Sequence, residues 1–78
     1  MDREWVAGYR KLAMALAAPH ARRWPYLADD LRGAALLGLV EAAATYRGGP
    51  VPFAAFARRR ILGAIRDVLR AEARQATR

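Results

Sequence analysis

Residues 53–70 read "FAAFARRRILGAIRDVLR", and the fold turns on this stretch. At about 100° per residue, Phe53, Ala57, Ile61, Ala64, Ile65 and Val68 fall on one side of a helix. Arg59, Gly63, Arg66 and Arg70 make a separate basic stripe, with Phe56 on the boundary between the two. Pro52 suits the first position of such a helix, which the pattern carries from 53 to about 72. The remaining tail is expected to fray. Arginines can contact phosphates, and an exposed aromatic ring can stack an unpaired base. Equally, both phenylalanines can be core residues beneath solvated arginines. Periodicity assigns Phe53 to the core and leaves Phe56 open.

Working back from this helix, "RGGPVP" (47–52) reads as a turn. Gly48-Gly49 supplies positive φ as a helix C-cap, and Pro50 stops continuation. Before it, residues 29–46 read as a second helix, capped by Asp29 or Asp30. Its Leu31, Ala35, Gly38, Leu39, Ala42 and Tyr46 share a face. A second apolar patch holds Gly33, Leu36, Leu37 and Val40, which either packs inward or stays open for a partner. The small residues Ala34, Ala35 and Gly38 suit a close helix crossing. Residues 19–28 read as a connector, with Trp24-Pro25 extended and Trp24, Tyr26 and Leu27 pinned to the core. The first helix begins at Asp2 as N-cap and ends near Pro19, with Trp5, Tyr9, Leu12 and Leu16 on one face. No strand pattern competes, so the expected fold is all-α: one three-helix domain over 1–78, with helices of about 2–18, 29–46 and 53–72. Tyr9, Leu12, Leu31, Leu39, Phe53, Ile61, Ile65 and Val68 are its expected core.

The chain has 78 residues and no cysteine, which rules out a disulfide or a thiolate metal site. Net charge is +7, unevenly placed. Residues 53–78 hold seven arginines against Asp67 and Glu72, which leaves +5, and residues 1–52 carry the other +2. A basic C-terminal third points to a polyanionic partner. Thirteen Arg against one Lys, with nineteen Ala, also fits the coding bias of a GC-rich genome. No apolar run approaches the ~20 residues that span a bilayer. The N-terminus lacks the apolar core of a signal peptide, and a cytoplasmic protein is expected.

Catalytic chemistry finds little footing. Asp29 and Asp30 are adjacent, and adjacent helical residues point apart, so a helix cap with surface charge is the better reading than an acid–base pair. The lone His20 beside a proline is expected at the surface. "RGGP" lacks the Lys-Ser/Thr of a phosphate-binding loop. No enzyme, no metal site and no cofactor is expected.

From 29 to 70 the order of signals is specific. The sequence runs Asp30-Leu31, Gly38-Leu39, Ala42 and Tyr46. After the glycine turn come Phe53, Phe56-Ala57, Arg60-Ile61, Gly63-Ala64-Ile65, Asp67 and Leu69-Arg70. This pattern resembles region 2 of the sigma factors of bacterial RNA polymerase, closest to the flagellar, sporulation and stress types. The resemblance implies that the helix at 29–46 docks on the clamp helices of the polymerase β′ subunit, through Asp30, Gly33, Ala34, Leu36, Leu37 and Val40. It implies that the helix at 53–70 faces the non-template strand of melted minus-ten promoter DNA through Phe56, Arg59, Arg60, Gly63, Arg66 and Arg70. Phe56 would stack a flipped adenine there.

The departures are equally readable. Gly33, Ala34 and Leu36 stand where housekeeping members carry polar clamp contacts. Arg59-Arg60 replaces a tryptophan pair, Gly63 a recognition glutamine and Leu62 a frequent arginine. Stacking and phosphate contact are therefore better supported than base-specific reading. The sequence holds no region-4 helix-turn-helix and looks like the smaller half of a split sigma factor, with a separate region-4 partner. The alternatives are a sigma mimic acting without promoter opening, a module that binds an anti-sigma factor, and a fragment of a larger sigma factor.

Overall fold

A computed structural model describes residues 3–76, with side chains from residue 7 onward. It contains three helices, α1 (Arg3–Arg23), α2 (Ala28–Thr45) and α3 (Phe53–Ala76), and a single 3-10 turn at Pro25–Leu27. No strand occurs among the described residues. The all-α, three-helix expectation holds. The proposed Asp2 cap and the Trp5 side chain lie outside the described residues.

Helix α2 packs against both α1 and α3, which meet each other less. Of its expected inner face Leu31, Ala35, Gly38, Leu39 and Ala42 are buried, while Tyr46 is half-buried just past the helix end. From α3, Ala57, Ile61 and Ile65 are buried, and Phe53 and Val68 pack partly buried against them. From α1 the centre of the contact is Ala13, Ala17 and Ala21, with Tyr9 and Leu16 at its side. Leu12 is only half-buried and lies outside the core cluster. The short alanines seat α1 close to its neighbours, which turns its contact face toward 13, 17 and 21 and pushes the larger side chains to the flanks.

Glycine makes the α2–α3 crossing possible. A Cβ built on Gly38 would meet the Arg60 carbonyl oxygen and the Ile61 Cα, each at 3.0 Å. The two backbones therefore approach more closely than any other residue at this position would allow. In the turn, Gly48 and Gly49 take φ of 83° and 101°, a region open to glycine at no steric penalty. The C-cap itself is Tyr46, which is extended and donates its N–H to the Ala42 carbonyl at 2.9 Å. The Tyr46 hydroxyl donates to the Val51 carbonyl at 2.6 Å and ties the two ends of the turn together.

Several boundaries differ from expectation. Pro19 lies inside α1, which runs on to Arg23. A proline removes one hydrogen bond to the carbonyl four residues back, here that of Ala15. Both residues are exposed, so water can take up that carbonyl. The extra turn buries Ala21 and brings Trp24 onto the core, with the Trp24 N–H closing on the His20 carbonyl at 2.9 Å. Asp29 and Asp30 are not caps. Leu27 holds the cap position without a side-chain bond, and the aspartates occupy the first turn, where the helix dipole still favours them. Asp29 instead pairs with Arg32 at 3.3 Å on the surface. Pro52 precedes α3 rather than opening it, and its carbonyl accepts the Phe56 N–H at 3.1 Å. Helix α3 continues past 72 to Ala76.

In the connector, Trp24 is non-helical before Pro25, at φ −124° and ψ 75°. Leu27 is buried, but Tyr26 is 69% exposed and does not pin the chain to the core. Desolvation holds its phenol above the ordinary range, and the Glu72 charge and a hydrogen bond to Glu72 on α3 add to the effect. His20 is half-buried rather than free on the surface. Its ring lies parallel to Trp24, 7° apart in plane and 6.3 Å between centroids.

Candidate functional site

The basic stripe of α3 reaches solvent. Arg59, Arg60, Arg66 and Arg70 are all exposed, and Gly63 between them is half-exposed. A Cβ on Gly63 would meet nothing within 4 Å, so packing does not demand glycine there. Opposite this row, Ile61 and Ile65 are buried. One helix thus carries core and cation row on separate sides, as the 3.6-residue period requires.

Phe56 is half-buried at the edge between those sides and packs against the core cluster. It belongs to a chain of rings. Tyr9 meets Phe53 edge-on with centroids 4.9 Å apart, Phe53 meets Tyr46 at 5.2 Å, and Tyr46 meets Phe56 at 5.2 Å. The chain spans α1, the end of α2 and the start of α3, and it fixes the Phe56 ring from behind. The Arg60 guanidinium lies over that ring, 5.6 Å from its centroid. The same guanidinium donates to the Thr45 hydroxyl oxygen at 3.3 Å, and the Thr45 hydroxyl donates to the Glu41 carbonyl at 2.8 Å. Phe56, Arg59 and Arg60 border a hollow of about 260 Å³. Such a hollow offers one aromatic surface and two cations, which is what an unpaired nucleotide needs: a face for the base and charge for the phosphate.

On α2 the six expected contact residues separate. Asp30, Gly33, Leu37 and Val40 are exposed on one side, Leu37 by 57% and Val40 by 62%. Ala34 is half-buried beside them. Leu36 stands about 100° from Leu37 around the helix and packs against the core. Leu36 is half-buried and stands one turn from both Gly33 and Val40, so it borders the other five. In the apolar patch that the sequence left undecided, Leu37 and Val40 are exposed and Leu36 is half-buried at the edge.

A groove of about 420 Å³ between α2 and α3 joins the two surfaces. Ala34, Leu37 and Glu41 form its α2 wall, and Arg59, Arg60 and Gly63 are among those on the α3 side. Arg66 lies around the helix from this groove, beside a smaller hollow that it shares with His20 and Leu62. Thr45 is the residue that sequence reasoning missed. In the sequence it is only a polar break in an apolar helix. Its link to Arg60 crosses a turn whose length brings residues 45 and 60 together only once α3 has packed.

Among the described residues no three His, Asp or Glu side chains gather as metal ligands. No helix among them is long and apolar enough to cross a membrane. A family model described as Sigma-70 region 2 matches residues 5–75. Comparison with curated proteins and with solved structures finds no match to this chain.

Proposed function

We propose, for a chain that belongs to the sigma-70 region 2 family, that it acts in transcription initiation by joining RNA polymerase core to melted promoter DNA. In this reading Asp30, Gly33, Ala34, Leu37 and Val40 of α2 meet the β′ clamp helices. Phe56, Arg59, Arg60, Arg66 and Arg70 of α3 face the non-template strand of the minus-ten element. Leu36 borders this face, half-buried against the core. The site of action is the cytoplasm, where the polymerase is.

The observation that carries this reading is the pairing of two unlike surfaces on neighbouring helices. Leu37 and Val40 are large apolar side chains more than half exposed, which suits a protein partner. The arginine row with Phe56 at its edge suits a nucleic-acid strand. Neither surface alone accounts for the other. Arginine–phosphate contacts are salt-sensitive and independent of sequence, so the isolated chain binds DNA weakly, and selectivity arises when polymerase holds the opened strand in place. The chemistry asks for binding and positioning, and needs no acid, base or metal.

Permanganate footprinting of reconstituted holoenzyme, with Phe56→Ala beside the unaltered chain, tests this. Loss of thymine reactivity in the melted region with polymerase binding retained supports the assignment. Unchanged opening makes Phe56 core packing alone. That outcome favours the second reading, a sigma mimic or anti-sigma-binding module, for which the half-buried setting of Phe56 beneath Arg60 already speaks.

A further inference from the structure

We propose that Arg60 is a positioning residue that guards Phe56. In the unbound protein its guanidinium covers the ring face on which an unpaired base would stack, and the base must displace it. The inference rests on the reading of Phe56 as the base-stacking surface.

The geometry has three parts. The guanidinium carbon sits 5.6 Å from the Phe56 centroid. It is held there by its bond to the Thr45 hydroxyl, 3.3 Å long. That hydroxyl is itself fixed on the last turn of α2 by donating to the Glu41 carbonyl at 2.8 Å. Tyr46, 5.2 Å away and tilted by 47°, flanks the same ring.

A base cannot simply slide between ring and guanidinium. Stacked layers repeat at about 3.4 Å, so a base held between two planes needs about 7 Å. The observed 5.6 Å is too short, and the Thr45 bond resists widening. Base and guanidinium therefore compete for one face. An exposed cation–π contact changes an equilibrium by about two- to fivefold, whereas a stacked base is stronger. The base wins, and the displaced guanidinium remains at the edge of the hollow beside Arg59, where a phosphate of the same strand can take it up. Arg60 thus sets a threshold. It admits a strand that offers an unpaired base and a phosphate together, and discounts a base that offers stacking alone.

Fluorescence anisotropy of the full chain separates these contributions. Two single strands of equal length and charge are compared, one carrying bases and one abasic. The ratio of their dissociation constants, abasic over base-carrying, reads stacking apart from phosphate contact. Thr45→Val leaves every charge and the Phe56 ring in place but frees the guanidinium, and is expected to raise the ratio, by at most the about two- to fivefold that the cation–π contact supplies. Arg60→Gln is expected to raise it likewise while weakening both strands. Phe56→Ala brings the ratio to one. Thr45 and Arg60 are exposed, and circular dichroism confirms that each variant is folded. A ratio unchanged or lowered in Thr45→Val and Arg60→Gln, but collapsed in Phe56→Ala, overturns the guard and leaves the stacking reading intact. A ratio of one in the unaltered chain that no variant changes overturns the stacking reading and the guard with it.

Discussion

Gly38→Ala is the most direct probe of how α2 and α3 are held. A Cβ at this position meets two backbone atoms, the Arg60 carbonyl oxygen and the Ile61 Cα, both at 3.0 Å, and the Ala64 Cβ at 3.3 Å. Backbone cannot rotate aside, so relief comes only from moving the helices apart by roughly half an ångström. A gap of that size forfeits about a quarter of each atom pair's attraction, and it opens beside Ile61, which is fully buried. Overpacking of this kind costs about 1–3 kcal/mol. The substitution also gains about 1 kcal/mol of helix propensity, so its raw effect understates the clash. Gly63→Ala is the control. It lies in the interior of α3, meets nothing within 4 Å, and keeps the propensity gain alone. The expected result is that Gly38→Ala is less stable than Gly63→Ala by about 1–3 kcal/mol, or roughly 4–8 °C in melting temperature per kcal/mol in a domain of this size. Thermal and urea melts followed by helical circular dichroism measure it. If Gly38→Ala melts at or above Gly63→Ala, the close crossing is not a constraint on this fold and the reasoning fails.

Leu39 is 5% exposed at the centre of α2, and Leu39→Ala is expected to lose about 2–5 kcal/mol in urea unfolding; a loss under about half a kcal/mol would place it outside the core. Val40→Asp, at a side chain 62% exposed, should leave the melting curve nearly unchanged yet abolish binding in pull-downs against core polymerase and the isolated clamp helices, because a charge buried unpaired in an apolar interface is heavily disfavoured. Retained binding would move the docking face elsewhere on the domain. Arg66→Ala should weaken binding to single strands of every sequence alike and flatten the logarithmic salt dependence by about one unit. An unchanged slope would mean that Arg66 touches no phosphate.

Much of this protein is legible in one dimension because helical side chains repeat every 3.6 residues. That period separates Leu31, Ala35, Leu39 and Ala42 from Val40, and Ile61 and Ile65 from Arg59 and Arg66, before any contact is known. Side chains far from the edge of a stripe have one energetically acceptable direction, and they take it. Side chains at an edge do not. Leu36 and Phe56 lie where two faces meet, and only the angle and distance of the neighbouring helix decide which way each goes. On α1 the buried alanines at 13, 17 and 21 lie on a different side from the stripe of Tyr9, Leu12 and Leu16, so Leu12 is left at the flank, and Tyr26 in the 3-10 turn is left in solvent. Local rules failed at Pro19 for a similar reason. Its missing hydrogen bond falls on an exposed carbonyl, while the turn that follows buries Ala21 and seats Trp24, and tertiary burial outweighs the local penalty. The sequence alone determined three helices, a core stripe and an arginine row. The Arg60–Phe56 contact is local to α3, four residues apart, but the bond that ties Arg60 to Thr45 joins residues fifteen apart and exists only because the turn at 46–52 folds α3 back along α2.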